Sequence, residues 1–280
     1  LPGRGKMIEK GSFKTEHGNL QKLRRWLSAP LDEMYNKAWL NIQEDKVNGV
    51  ANMGKSVVSY CTYTEPFVEE MNVHESVGEN GMQTLVNLDD LENYVEFVGG
   101  DEVTVSFFGN ENEKLCRKME IDGDLTVTIY VPHSEGDYNS IQTKIINVYD
   151  EDDRWCKPNS GEYMSTRFKT DVDQFERIIK VTDFDDFALS TYPIVVEDGK
   201  FVLNASDDRE RNSVAGELEA EVIEEVDVNN HYTRGFSELF ENISGEVEVD
   251  VEQDHPISIV RKSEDGAVTL RYTLLTAKKK

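Results

Sequence analysis

Apolar residues alternate with polar ones along most of this chain, and only a few stretches change to a helical spacing. In Gly18–Ala29 (GNLQKLRRWLSA), Leu20, Leu23 and Leu27 recur at intervals of three and four before Pro30, which predicts a helix. Asn87–Val98 predicts a second: Asn87 can cap it, Leu91, Val95 and Val98 share a face, and Gly99-Gly100 closes it. AWLNI, VVSYCTY, FVEEMNV, DEVTVSF, KLCRKMEI and DLTVTIYV read as strands, with Asp122-Gly123 as a hairpin turn. From Pro132 to Asp153 the periodicity weakens. PHSEGDYNS is rich in turn residues and YDEDDR is a solvated charge run, so this stretch reads as a linker.

The pattern then starts again. Arg167-Phe-Lys-Thr-Asp171 with DVDQFERIIKV echoes Ser12-Phe-Lys-Thr-Glu16 and its helix, Phe13 recurring as Phe168, 155 positions on. HYTRGFSELFENISGEVEVDV echoes NLDDLENYVEFVGGDEVTVSF as helix, glycine and alternating strand, with Asp101 recurring as Glu246, 145 positions on. The expectation is an α+β protein of two tandem similar domains, each with antiparallel strands and two helices. Residues 7–131 and 154–276 would be the domains, 132–153 the linker and 277–280 a tail. The first methionine is Met7, so residues 1–6 read as a tag or leader.

Composition narrows the class. Hydrophobic residues make up 38% of the 280, enough for real cores. No run approaches the roughly 18 consecutive apolar residues that span a membrane, and the charged N-terminus has no secretory h-region. Cys61, Cys116 and Cys156 are an odd number without a CxxC pair, which points to a reducing, intracellular setting. The five histidines are dispersed, so neither a metal nor another cofactor is expected. Fifty-five acidic residues against 30 basic ones give a net charge of −25, spread from Glu65 to Asp265. That surface is the habit of proteins from salt-accumulating halophiles, where screening makes the self-repulsion tolerable.

Taken in order, these segments resemble the PCNA family of DNA sliding clamps. Asp254-His-Pro256-Ile-Ser-Ile-Val followed by Glu264-Asp-Gly266-Ala-Val-Thr-Leu-Arg-Tyr272-Thr-Leu-Leu is similar to the family's closing hairpin, with Thr276 where a proline is usual. His231-Tyr232 through Ile243-Ser244 is similar to its last helix, and Lys157-Pro to Glu162-Tyr163 to a turn opening its second domain. Val86–Leu91 with Gly100-Asp-Glu-Val-Thr-Val is similar to the close of its first half. The resemblance implies a non-enzymatic homotrimeric ring of a halophilic archaeal or archaeal-virus kind. Its helices would line a hole around duplex DNA, and it would tether DNA polymerase, a clamp loader and other clients through short peptides.

Sequence-independent DNA contact needs cations facing the backbone. Lys22, Arg24, Arg25, Arg177, Lys180 and Arg234 are the candidates, while Asp89, Asp90, Glu92 and Glu96 make the second helix repulsive. A client peptide needs an apolar cleft beside the linker. The resemblance points to Pro256, Tyr272 and Leu274, with Met53, Ile141, Ile145 and Val148 completing the cleft.

Two other readings remain. Gly49-Val-Ala-Asn-Met-Gly54-Lys55-Ser56 matches the phosphate-binding loop of NTPases, with Ile145–Asp150 as a loose magnesium-binding strand. Such a loop must open a helix, yet the β-branched and aromatic run Val57–Tyr63 follows it. A non-ring acidic protein, a DNA mimic or structural component, would account for the charge but not for the repetition.

Overall fold

The computed structural model describes residues 6–28, 36–53, 57–78, 81–111, 113, 116–131, 148–157, 160–182, 191–198, 200–206, 213–218, 220–224, 226–233, 239–240 and 243–276. The first half runs β1 (Met7–Glu16), α1 (His17–Ser28), β2 (Lys37–Ile42), β3 (Val47–Met53), β4 (Val57–Tyr63), β5 (Glu69–Val73), β6 (Met82–Asn87), α2 (Leu88–Val98), β7 (Glu102–Asn110), β8 (Lys118–Asp122) and β9 (Thr126–Tyr130). The second half runs β10 (Thr166–Asp171), α3 (Val172–Thr182), β11 (Thr191–Glu197), β12 (Lys200–Ser206), β13 (Ser213–Leu218), β14 (Ala220–Glu224), β15 (Val228–Thr233), β16 (Glu246–Val251), β17 (Ile257–Lys262) and β18 (Val268–Leu274). All pairings between these strands are antiparallel, which makes this an α+β fold dominated by sheet.

The two halves repeat strand for strand. The order β5-β1-β7-β8-β9 recurs as β14-β10-β16-β17-β18, and β4-β3-β2-β6 recurs as β13-β12-β11-β15. Glu16 stands opposite Glu102 as Asp171 stands opposite Glu246. Glu246 therefore matches Glu102 rather than Asp101, a correction of one position to the spacing of the second echo. One pairing has no counterpart among the described residues. Strand β4 lies along β18 and fuses the second five-stranded set to the first four-stranded set in one nine-stranded sheet. Strands β9 and β13, which hold the equivalent places, are open edges.

Helix α1 buries Leu20, Leu23 and Leu27, and α2 buries Leu88, Leu91, Val95 and Val98. The Asn87 carboxamide oxygen accepts the N–H groups of Asp89 (2.9 Å) and Asp90 (3.2 Å), and Gly99 and Gly100 take positive φ past the last turn. Helix α3 buries Val172 and Phe175, and Phe175 stacks on Phe240 with 4.3 Å between centroids. The expected fourth helix does not begin at His231, because Val228–Thr233 is strand β15; residues 234–238 lie outside the described ones. One continuous core joins both halves.

Strand β3 returns as β4 with Met53 paired to Val57. The Gly-Lys-Ser triplet therefore connects two antiparallel strands, where no helix begins to present amides to a phosphate. Gly49 has a packing reason instead. A Cβ there would lie 2.6 Å from Leu27 Cδ2, so α1 can settle on β3 only because that side chain is missing. Gly49→Ala should destabilise the protein by about 1–3 kcal/mol, since Leu27 is wholly buried and cannot swing aside. Denaturant unfolding measures this, and an unchanged midpoint would show that the contact relaxes.

Candidate nucleic-acid and partner interfaces

The nine-stranded sheet has two faces, and strand alternation assigns each residue to one of them. Val268, Leu270, Tyr272 and Leu274 of β18 join the main core, as do Cys61 and Tyr63 of β4, so this face lies under α1. Tyr272 is wholly buried and its hydroxyl donates to the Trp26 carbonyl oxygen at 3.0 Å. Leu274 is equally buried. Neither lines an outer cleft, which corrects two of the expected pocket residues. A strand read one position out of phase sends every side chain to the wrong face.

The outer face is carried by the alternate residues. Strand register sets Lys169, Glu248, Val260, Arg271, Tyr60, Val50, Trp39 and Leu85 in one transverse row. A neighbouring row runs Arg167, Asp250, Ser258, Thr273 and Val58. One end is ionic: Lys169 pairs with Glu248 at 2.9 Å, and Arg167 pairs with Glu248 and reaches Asp250 at 3.9 Å. The other end is apolar, where Trp39, Val50 and Tyr60 cluster with Val58 and Leu85.

Between these ends sits the hairpin Val148–Cys156. Tyr149 bridges to Trp155 across it, Cys156 N–H donates to the Val148 carbonyl at 2.6 Å, and Val148, Trp155 and Met164 form a buried cluster. Val148 is thus the apolar centre of this hairpin. Pro256 is half-buried at the start of β17, and Met53 ends β3. Ile141 and Ile145 lie outside the described residues, as does the Met53 side chain.

On the helices, Lys22, Arg25 and Arg177 are exposed. Arg24 is engaged: its Nε donates to the Leu88 carbonyl at 3.4 Å and its guanidinium pairs with Glu92, strapping α1 to α2. That strap also neutralises one acid of the helix expected to repel phosphate. Lys180 lies on α3 with its side chain outside the described residues, and Arg234 lies outside them altogether.

An exposed apolar patch escaped the sequence reading. Phe97 is 66% exposed and Tyr94 44% on α2, while Leu125 (61%) and Tyr130 (77%) flank the open edge of β9. Leu125 N–H donates to the Val98 carbonyl at 3.0 Å, which binds the strand's start to the helix end. The available signal was Phe97 itself, an aromatic off the buried Leu91–Val95–Val98 face. Among the described residues no cluster of His, Cys, Asp and Glu could hold a metal ion, and no helix is long and apolar enough to cross a membrane.

No protein-family model matches the sequence, and no curated protein does. Solved structures match the fold over its whole length. A structure of the C-terminal region of FEN-1 bound to A. fulgidus PCNA superposes with a TM-score of 0.68 at 10% identity, covering 96% of this chain and 99% of that one. PCNA from Entamoeba histolytica gives 0.69 at 10% identity over 97% and 100% of the two chains. The PCNA2–PCNA3 complex from Sulfolobus tokodaii gives 0.63 at 16% identity over 95% and 98%. The fold is that of PCNA.

Within this PCNA fold one buried carboxylate has an unusual environment. Asp250 accepts the Trp155 N–H at 3.1 Å and is almost wholly buried. Burial raises its carboxyl to about 6, and Arg167 and the Trp155 N–H pull it down without cancelling that cost. The folded protein therefore binds this proton more tightly than the unfolded chain does. The penalty of the buried charge is present at neutral pH and is relieved as pH falls through about 6. Between neutral pH and about 5, wild type should gain roughly 1–3 kcal/mol relative to Asp250→Asn, measured by denaturant unfolding at fixed KCl. A constant difference would mean that this carboxyl titrates in the ordinary range.

Proposed function

We propose that this chain is a subunit of a DNA sliding clamp, a non-catalytic processivity factor that encircles duplex DNA and tethers replication and repair proteins. One observation carries the reading: the strands equivalent to the paired β4 and β18 are the open edges β13 and β9. Pairing β9 of one copy with β13 of the next would rebuild the nine-stranded arrangement between subunits. An exposed strand edge is normally covered, and a head-to-tail contact of this kind closes into a ring when its rotation allows. Phe97, Leu125 and Tyr130 beside β9 give the contact apolar surface. The domains would be 7–131 and 154–276, joined by 132–153, in a ring of three copies. That one similar structure is a complex of two PCNA chains supports assembly.

Light scattering in molar KCl should return three times the 31.9 kDa of one chain. Leu125→Asp should lower that mass without lowering the unfolding midpoint, because the side chain is exposed within one copy. A wild-type protein that stays monomeric at tens of micromolar would remove the closed ring.

The helix face would meet the DNA backbone through Lys22, Arg25 and Arg177, with Lys180 and Arg234 as further candidates. The outer face would receive client peptides near Pro256 and the apolar row from Tyr60 to Leu85. A FEN-1 segment bound to the A. fulgidus protein supports that expectation.

The charge fits a halophilic setting. A trimer would carry a formal −75, three times the −25 of one chain, around a polyanion. At 0.1 M salt the Debye length is about 10 Å and near 1 M it falls to about 3 Å, so assembly should improve as salt rises. Adhesive DNA binding does the reverse, because it releases counterions. Protein loaded on closed circular DNA in molar KCl should stay until the circle is cut and then slide off. Equal retention on circle and linear forms would mean an adhesive contact and no encirclement.

A further inference from the structure

The hairpin Val148–Cys156 lies over the outer face where the two halves of the chain join. Its tip is fixed by Asp153, which is 8% exposed and holds a left-handed backbone at φ +64°. Arg271 Nε donates to Asp153 Oδ1 at 2.6 Å, and Lys262 Nζ lies 2.8 Å from Oδ2. Its flank is fixed by Tyr149, whose hydroxyl sits 3.0 Å from Ser258 Oγ and 3.1 Å from Thr273 Oγ1. Its base is fixed by the Trp155 N–H on Asp250. The fastening is polar while the contents are apolar: Val148, Trp155 and the Tyr149 ring cover positions on β16, β17 and β18.

An aromatic ring with a polar tip, set among apolar neighbours on the outer face of β17 and β18, is the kind of group an incoming peptide anchor would supply. We propose that Val148–Cys156 is a self-bound strap that occupies part of the client site and must lift before a peptide with aromatic anchors can seat fully. The proposal rests on the client-docking reading above, and Asp153 is its latch. Arg271 makes the latch sensitive to the seam as well. Its NH1 donates to Thr62 Oγ1 of β4 at 3.0 Å and its guanidinium lies over the Tyr60 ring at 4.9 Å.

Cys156 offers a direct readout, because it is the one cysteine of the three that is not buried. Burial raises its thiol pKa, so labelling is slow while the hairpin is seated. Asp153→Asn is the informative variant: asparagine tolerates the left-handed conformation and keeps the shape, yet removes the charge that holds Arg271 and Lys262. Tyr149→Phe removes the two hydroxyl contacts and leaves the charges in place. Both should speed iodoacetamide labelling of Cys156, Asp153→Asn by about tenfold or more, the change that losing one charge-assisted hydrogen bond makes to an opening equilibrium. Global unfolding should remain far slower than labelling in both.

The binding arm uses the C-terminal FEN-1 peptide of A. fulgidus as probe, followed by fluorescence anisotropy in molar KCl. Affinity should rise in Asp153→Asn by a factor similar to the gain in labelling, and peptide should speed Cys156 labelling in wild type. Unchanged labelling in both variants overturns the strap, as does equal peptide affinity in wild type and Asp153→Asn. Faster labelling with peptide bound by neither protein overturns the client-docking reading while keeping a strap that opens.

Discussion

Everything else in the molecule depends on the seam between β4 and β18. Seven residues of each strand pair, from Val57–Leu274 to Tyr63–Val268, and the Thr64 N–H extends the ladder to the Ala267 carbonyl at 2.8 Å. Backbone groups in such a ladder are satisfied without side-chain specificity, so the seam by itself would tolerate slippage. Side chains fix it on both faces. Beneath, Tyr272 packs in the core and bonds the Trp26 carbonyl, while Trp26, Tyr63 and Phe67 stack with centroids 5.2 to 6.4 Å apart. Above, Arg271 bonds Thr62 across the two strands. A one-residue slip would exchange Tyr272 with Arg271 and bury a guanidinium in the core.

The seam also decides where cations are spent. Lys14 is held by Glu102 (3.0 Å) and Glu70, Arg24 by Glu92, Arg167 and Lys169 by Glu248, and Arg271 and Lys262 by Asp153. In a chain with 30 basic residues against 55 acidic ones, each cation fixed in an intramolecular pair leaves fewer for a polyanion. Exposed pairs of this kind contribute little each, about 0–1 kcal/mol. The partly buried Arg167 and Arg271 pairs are different, because removing one partner would strand a charge in low dielectric. Structural cations thus sit on the sheet, and Lys22, Arg25 and Arg177 remain exposed on the helices.

Much of the fold was legible because alternation and capping are local. Asn87, Gly99 and the Leu20–Leu23–Leu27 spacing place two helices within a residue of their ends. The repeat was legible where Phe13 and Phe168 carry the same motif. Strands β3 and β15 were harder: VNGVANM and VNNHYT hold asparagine and glycine where a strand signal needs β-branched residues. The motif Gly49–Ser56 shows the limit of a spacing rule, since its first glycine makes room for Leu27. The outer face was the least legible part. Which of Arg271 or Tyr272 points outward depends on the phase of β18, and phase is fixed by partners that lie far away in sequence, at Trp26 and Thr62.

That phase has a consequence for how the two surfaces are related. A cleft built from Tyr272 and Leu274 would be apolar and indifferent to the joint beneath it. With Arg271 and Thr273 outward instead, the same stretch of β18 holds Asp153, Tyr149, Thr62 and Tyr60 at once. Any motion that separates β4 from β18 stretches the Arg271–Thr62 bond, and any motion that lifts the hairpin breaks the Arg271–Asp153 bond. One guanidinium has a fixed fork of donors, so it cannot follow both partners when they move apart. The hairpin over the outer face and the joint between the halves are therefore mechanically linked through a single side chain. Apolar packing alone, which is non-directional, would impose no such link.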